Sequence, residues 1–269
     1  MTHLWVRAES RENEERVGIM PDGVADLVAS GFTVTVEESP TRVVPIDAYR
    51  DAGARIAEFG SWDGAPEDAI IFGLKELPDS DEPLRHRHIM FGHAYKGQPA
   101  GQRLLARFKA GGGVMYDLEY IENPEGRRVA AFGYWAGYAG AAVSLLAYAA
   151  QPGTCPTVST WPSSEAMRDD VSSALAGKHP TALVIGALGR VGTGASDLCE
   201  DLGLSVTKWD MAETAHGGPF PEVLQHDIFF NCILARPGTP VFAPADTCTQ
   251  DRALQVIGDI ACDPDSDFS

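Results

Sequence analysis

The feature that most constrains the fold of this chain is a glycine loop between an apolar strand and a helix. The apolar residues 182–185 lead directly into Gly186-Ala187-Leu188-Gly189-Arg190-Val191-Gly192, and a helical pattern follows over 192–202. Gly186 allows a tight turn, Gly189 lets the backbone approach a pyrophosphate, and Gly192 lets the helix pack closely on the strand. Amide groups at the start of the helix then face the anion. The spacing GxxGxxG is a variant of the usual fingerprint, so the motif alone is moderately specific.

An acidic residue at the end of the next predicted strand strengthens the nucleotide interpretation. Asp210 follows the strand predicted over 204–209, about 20 residues beyond the loop, where a carboxylate accepts the ribose hydroxyls. A carboxylate in this place repels a 2′-phosphate, which favours NAD over NADP. The alternative is an ordinary glycine turn followed by a solvated aspartate. The order of strand, loop, helix, strand and acid favours the NAD site.

Strands and helices alternate along the whole chain, which predicts an α/β fold with parallel sheets. We expect two Rossmann-like domains with a cleft between them, a substrate and catalytic domain over 1–130 and an NAD-binding domain over 131–269. The predicted strands are 4–6, 32–36, 55–57, 69–74, 88–92, 113–117, 182–185, 204–209, 227–233 and 255–260, and the predicted helices are 21–30, 46–52, 101–110, 131–151 and 192–202.

Composition excludes several classes of protein. The formal net charge of −17 does not suit nucleic-acid binding. The uncharged stretch 131–151 is long enough to span a bilayer, but its glycines and central aromatic residues favour a buried helix, with the glycines admitting a neighbouring backbone. The N-terminus lacks the apolar stretch of a signal peptide, and the five cysteines show no CxxC spacing. We therefore expect a cytoplasmic protein without a metal site.

Two candidate acid–base residues each follow an apolar strand. Lys75 comes after the strand over 69–74 and His93 after the strand over 88–92, and ligands of open α/β sheets bind at such carboxyl ends. Both side chains can exchange protons near neutral pH when the environment permits it. The alternatives are a solvated lysine and a structural histidine. Arg16 and Arg128 are candidate forks for substrate carboxylates, although spacing alone favours surface ion pairs.

These residues lie within segments that resemble the lysine-forming, NAD-dependent saccharopine dehydrogenase family, a branch of the alanine dehydrogenase-like superfamily. The resemblance covers essentially the whole chain, in family order. The matching segments are Arg7-Ala8-Glu9 with Arg16, Gly73-Leu74-Lys75-Glu76-Leu77-Pro78, Phe91-Gly92-His93-Ala94-Tyr95-Lys96-Gly97-Gln98, Tyr116-Asp117-Leu118-Glu119, Gly126-Arg127-Arg128-Val129-Ala130-Ala131-Phe132-Gly133, Gly186 to Gly192, and Lys208-Trp209-Asp210.

The resemblance implies oxidation of saccharopine by NAD to an imine, followed by hydrolysis to lysine and 2-oxoglutarate. It assigns Lys75 as the base and His93 as its acid–base partner in imine hydration. It assigns Arg16, Gln98 and Phe132 to the substrate, with Asp263 in a substrate-side loop. The positions that it assigns to the cofactor are Arg127, Gly189, Arg190, Asp210, Thr214, Leu234 and Ile260.

The family's chains continue past the position of Ser269, so we expect an incomplete cofactor domain with an unpaired sheet edge. Three interpretations fit this expectation: a fragment, one half of a split enzyme with a complementary C-terminal chain, and a shortened paralogue or homo-oligomer. A related NAD-dependent amino-acid, opine or imine oxidoreductase is the alternative activity, and an inactive NAD-binding subunit is the alternative without activity. Several arginines near Lys75 would favour saccharopine, whereas a single arginine would favour a smaller amino acid.

Overall fold

The chain divides into two compact units, Met1–Ala131 and Phe132–Ser269. A computed structural model describes residues 2–75, 77–95, 99–155, 157–235 and 238–262. We call the two parts the N-terminal unit and the C-terminal unit, and each has its own parallel sheet and its own hydrophobic core.

The N-terminal unit is a parallel sheet flanked by helices. Its strands are β1 (His3–Val6), β2 (Thr33–Glu37), β3 (Arg55–Ala57), β4 (Ile70–Phe72), β5 (Arg87–Met90) and β6 (Val114–Asp117), its helices are α1 (Pro21–Ala29), α2 (Ile46–Asp51) and α3 (Pro99–Gly111), and short 3₁₀ helices cover Trp62–Gly64 and Leu118–Tyr120. Within the described residues the strand order is β3-β2-β1-β4-β5-β6. The connection direction reverses between β1 and β4, and ligands of such sheets bind at this switch point.

Apolar side chains on β1, β2 and the first two helices form the core on one face of this sheet. Val24 of α1 packs with Val34 and Val36 of β2 and with Tyr49 of α2, and all four are buried. The Tyr49 hydroxyl donates to the carbonyl of Ile19 at 2.8 Å, which satisfies its polar end. This packing holds the carboxyl ends of β1 and β2 in place beside the switch point.

The C-terminal unit is a second parallel sheet. Its strands are β7 (Ala182–Ile185), β8 (Val206–Trp209), β9 (Ile228–Asn231) and β10 (Val256–Asp259), its helices are α4 (Tyr134–Ala149), α5 (Ser164–Leu175), α6 (Arg190–Asp201) and α7 (Met211–Thr214), and 3₁₀ helices cover Pro221–Gln225 and Ala245–Thr249. The order within the described residues is β10-β9-β7-β8, so β7 and β9 are the central strands of this sheet. The α/β class with parallel sheets is therefore confirmed.

The uncharged segment forms the buried helix α4, which lies against α6 at very short range. A Cβ atom on Gly137 of α4 would lie 1.8 Å from the carbonyl oxygen of Val191, and one on Gly194 of α6 would lie 1.9 Å from the carbonyl oxygen of Tyr134. The expectation that glycines of this segment admit a neighbouring backbone is thus confirmed. In the part of the chain that the structure describes, no helix is long and apolar enough to cross a membrane.

The sequence pattern predicted most of the elements but missed the helices α5 and α7 and overextended several strands. α5 was not predicted, because only Val171 and Leu175 of its residues are buried and its apolar pattern is weak. Ser163 begins this helix by accepting a hydrogen bond from the amide of Ala166. The strand predicted over 69–74 ends at Phe72, and the amides of Leu74 and Lys75 bond to the Glu9 carboxylate instead of a neighbouring strand.

Candidate active site

Lys75 lies at the carboxyl end of β4, beside the switch point of the N-terminal sheet. The amide of Gly73 still donates to Ile89 of β5, and the amide of Phe91 donates to the carbonyl of Leu74. Beyond these bonds the chain leaves the sheet, and Lys75 is half-buried. The backbone at Lys75 therefore depends on side chains rather than on a neighbouring strand.

Acidic and basic side chains after β1 surround this strand end. Glu14 is buried and binds Arg16 through two contacts of 2.6 Å, from Nε to Oε1 and from Nη2 to Oε2. The hydrogen bond from Arg16 lowers the pKa of Glu14, burial opposes that shift, and the charge of Lys75 adds to it. Arg16 keeps 56% of its side chain exposed. Arg16 is thus bound to the Glu14 carboxylate while much of its side chain remains accessible.

A shallow depression opens beside these residues. Val6, Phe72 and Gly73 line it together with charged side chains. Those charged residues are Arg7, Glu9, Glu14, Arg16 and Arg42. Burial lowers the pKa of Arg42. More than one guanidinium group therefore lines this depression at the carboxyl ends of β1 and β4, and guanidinium groups suit a ligand with several carboxylates.

His93 lies at the carboxyl end of β5, on the strand next to the one that carries Lys75. Its φ angle of 47° is in the left-handed region, which a residue with a side chain seldom adopts. Nδ1 lies 3.3 Å from Oε2 of Glu119, and the histidine side chain is 40% exposed while the carboxylate is nearly buried. An unusual backbone conformation at an accessible histidine is typical of functional sites.

Asp117 links the two segments that carry His93 and Glu119. Its Oδ1 accepts the amide of Gly92 at 3.3 Å and the amide of Glu119 at 3.0 Å. The carboxylate is buried, and it begins the short 3₁₀ helix that follows β6. One side chain therefore ties the end of β5 to the end of β6.

The other candidate substrate residues and Arg127 lie on an exposed turn, at the start of the C-terminal unit or outside the described residues. Residues 122 and 128 form an isolated antiparallel bridge, and Arg127 sits exposed at its tip with its amide bonded to Asn123. Arg128 is half-buried, and its Nη2 lies 3.5 Å from the carbonyl of Ala130. Phe132 begins the C-terminal unit and is largely exposed. Gln98 and Asp263 lie outside the described residues.

In the C-terminal unit the glycine loop connects β7 to α6, as the sequence predicted. Gly186 has a φ of 87°, and a Cβ there would lie 2.9 Å from the carbonyl of Cys232. A Cβ on Gly192 would lie 2.1 Å from the carbonyl of Gly186, so this glycine is needed for the close approach of helix and loop. Gly189 precedes the helix and has no side chain that could cap it. The glycine loop therefore leads directly into the N-terminus of α6, the end of a helix that favours an anion.

Asp210 lies directly after β8 and contacts the glycine loop. Its Oδ2 accepts the amide of Leu188 at 3.0 Å, and its Oδ1 accepts the amide of Met211 at 2.9 Å. The side chain of Glu213 accepts the amide of Asp210 in return, which completes a capping box. The half-buried carboxylate of Asp210 therefore lies next to the phosphate loop, where a ribose diol would bind.

The other candidate cofactor residues surround the same carboxyl ends. Arg190 opens α6 and Leu234 follows β9, and both are exposed. The hydroxyl of Thr214 donates to the carbonyl of Asp210 at 2.9 Å. Ile260 follows β10, and its side chain packs against Gly140 of α4. The residues present fit a dinucleotide, and among the described residues no cluster of three metal-binding side chains occurs.

Sequence reasoning gave no role to several charged residues of this site. Glu9 and Glu119 were part of the matched segments, but their partners come from other strands. Glu14 lies in the polar run between β1 and α1, and its sequence context does not distinguish it from the solvated acidic residues around it. Asp117 ends a predicted strand, a position that could have suggested it. Such pairings follow from strand order, which local patterns do not encode.

Comparison with known proteins agrees with this geometry. Residues 5–139 match the family described as alanine dehydrogenase/PNT, N-terminal domain. The chain is 44% identical to the saccharopine dehydrogenases [NAD(+), L-lysine-forming] of Candida glabrata and Yarrowia lipolytica, over 97% of this chain and 74% of each relative. A solved structure of L-alanine dehydrogenase aligns with a TM-score of 0.53 at 18% identity, over 93% of this chain and 72% of that one.

The fold and the nucleotide loop define the class of protein: the chain is an NAD-dependent oxidoreductase related to alanine dehydrogenase and PNT. The full-length similarity is narrower than that class. The chain belongs to the saccharopine dehydrogenase family, L-lysine-forming, whose members act on a CH–NH bond.

Proposed function

We propose that the protein interconverts saccharopine with lysine and 2-oxoglutarate. In the cleavage direction, saccharopine, NAD⁺ and water give lysine, 2-oxoglutarate, NADH and a proton. The observation that supports this substrate most directly is the depression at the carboxyl ends of β1 and β4, which Arg16 and Arg42 both line. Saccharopine carries three carboxylates, and guanidinium groups bind carboxylates in pairs of hydrogen bonds.

Bound NAD would supply the hydride acceptor. The residues that would hold it are the Gly186–Gly192 loop at the pyrophosphate and Asp210 at the ribose. We assign Arg190, Thr214, Leu234 and Ile260 to the same cofactor site, together with Arg127 of the N-terminal unit. These assignments combine the position of the glycine loop before α6 with the family resemblance.

Lys75 is proposed to take the proton from the secondary amine of saccharopine as the hydride leaves the adjacent carbon. The half-buried setting at a strand end limits its contact with water, which suits a group that must exchange a proton. Glu14 balances the charge of Arg16 beside it. Arg16, Arg128, Phe132, Gln98 and Asp263 are proposed to contact the substrate.

His93 is proposed to move protons while water adds to the carbon–nitrogen double bond and lysine departs. Glu119 faces Nδ1 of the ring, so Nε2 is the nitrogen left for the substrate. A carboxylate in this position fixes the orientation of the ring. Glu119 is therefore proposed as the residue that positions His93.

The experiment is a spectrophotometric assay at 340 nm with NADH, lysine and 2-oxoglutarate, together with NADH binding measured by fluorescence. NADH should be consumed only when both co-substrates are present, and replacing them with ammonia and pyruvate should abolish turnover. Lys75→Met should lose most of kcat and keep NADH binding, whereas Lys109→Met on the exposed face of α3 serves as the matched control.

Other outcomes identify the alternatives. Turnover with ammonia and another 2-oxo acid would point to a related amino-acid or opine oxidoreductase. NADH binding without turnover on either substrate pair would point to a nucleotide-binding subunit that acts with a complementary chain. Near-normal turnover by Lys75→Met would remove Lys75 from the proposed chemistry.

A further inference from the structure

Two charged residues at the end of β1 are buried next to the strand that carries Lys75. Arg7 is 2% exposed and Glu9 is 9% exposed, and Nη1 of the arginine lies 3.4 Å from Oε2 of the glutamate. Removing two charges from water has a large desolvation cost, which their attraction alone often fails to offset. A buried pair of this kind therefore needs further hydrogen-bond partners to offset that cost.

The partners of the pair are backbone groups of the β4 end. Oε1 of Glu9 accepts the amide of Leu74 at 2.6 Å, and Oε2 accepts the amide of Lys75 at 3.0 Å. Nη2 of Arg7 donates to the carbonyl of Lys75, and Nη1 donates to the carbonyl of Ala8 at 3.1 Å. The N–H and the C=O of Lys75 are thus both bonded to this one ion pair.

Gly73 provides the space in which the guanidinium group of Arg7 lies. A Cβ atom at this position would lie 2.3 Å from Nε, 2.4 Å from Cζ and 2.5 Å from Nη2 of Arg7. The amide of Arg7 donates to the carbonyl of Phe72 at 2.9 Å, so β1 and β4 remain paired up to this point. The strand ends, the glycine and the ion pair together determine the backbone path through Lys75.

We propose that Arg7 and Glu9 are positioning residues that fix the backbone of Lys75 and thereby aim its side chain at the substrate. This inference rests on the proposed function, in which Lys75 exchanges the proton of the substrate amine. Charged hydrogen bonds are shorter and stronger than neutral ones, which suits a clamp on a segment without a strand partner. A pair that served only to join β1 to β4 would affect folding and leave the chemistry of Lys75 unchanged.

The first measurement is amide hydrogen exchange of the intact protein at Leu74 and Lys75. Glu9→Gln removes one of the two acceptor oxygens and the charge, and exchange at both amides should be faster by about 10-fold or more. Asp227→Asn is the matched control, because this carboxylate accepts the amide and hydroxyl of Thr181 in the C-terminal unit. If Glu9→Gln does not fold, Glu9→Asp is used in its place. It keeps the charge but moves the acceptor oxygens back by the length of one methylene group.

The second measurement is a double-mutant cycle in the saccharopine-forming assay. Glu9→Gln and Arg7→Lys should each lower kcat by about 10- to 100-fold, with KM for NADH within about twofold, because a small misplacement of a reacting group slows chemistry strongly. In a Lys75→Met background neither change should lower the residual rate further, since the pair acts through Lys75.

Three results would overturn the proposal: unchanged amide exchange in Glu9→Gln, unchanged kcat despite faster exchange, or an equal loss of rate in the Lys75→Met background. A wild-type protein without turnover would instead contradict the proposed function. In that case hydrogen exchange alone decides whether the pair clamps Lys75, so the two failures are distinguishable.

Discussion

His88 is a histidine that the fold keeps neutral. It lies on β5 with 1% exposure, and its ring has edge contacts with Trp62 at 5.4 Å and Phe108 at 5.3 Å. Among the described residues neither ring nitrogen has a hydrogen-bond partner. Burial lowers its pKa from 6.5 to about 3, and the charges of Arg7, His86 and Arg107 act in the same direction.

This depressed pKa links stability to pH. The unfolded chain binds a proton at His88 near pH 6.5 and the folded chain only near pH 3, so the folded state binds fewer protons between these values. The free energy of unfolding therefore rises with pH across that window and falls on acidification. Between pH 7.5 and pH 5 the free energy of unfolding falls by about 2 kcal/mol. It falls by about 1.36 kcal/mol for each pH unit below the unfolded-state pKa of 6.5.

The assay is urea unfolding of the wild type and of His88→Leu at both pH values in matched buffers. Other titrating groups act equally in both proteins, so the difference between their pH dependences isolates His88. The wild type should lose about 2 kcal/mol more than the variant on going from pH 7.5 to pH 5. An equal pH dependence in the two proteins would refute the claim that the folded state excludes the proton.

Three further predictions concern the helix contact, the cofactor site and the histidine. Gly137→Ala should destabilise the protein by about 3 kcal/mol in thermal unfolding, because its Cβ would overlap a carbonyl of α6. The control Gly64→Ala has open space around the new methyl group and should have little effect, so equal losses in the two variants would contradict the packing. Asp210→Ala should weaken NADH binding by about 10-fold in a fluorescence titration, and unchanged affinity would remove it from the ribose site. Glu119→Gln should lower kcat by about 10-fold with KM for NADH unchanged, because the carboxylate that faces His93 loses its charge. A normal kcat would show that the contact between Glu119 and His93 does not contribute to the reaction.

Local patterns in the sequence determined most of the secondary structure and the nucleotide loop. The run Ala182–Ile185 forms β7 as predicted, and Gly186 and Gly192 after it occupy positions where a side chain would collide with backbone. These features are readable because strand propensity, helix periodicity and turn glycines act between near neighbours in the chain. For the same reason the amino-acid pattern by itself locates Lys75 and His93 at strand ends.

Tertiary structure alone decided which charged groups meet at those strand ends. Glu9 reaches Lys75 because β4 pairs with β1 rather than with β3, its predecessor in sequence. Glu119 reaches His93 because β6 lies beside β5. A carboxylate has the same local pattern whether it is solvated or buried against a distant backbone amide, so the sequence by itself does not distinguish the two. The order of strands in the sheet makes that distinction, since it brings together residues that are far apart in the chain.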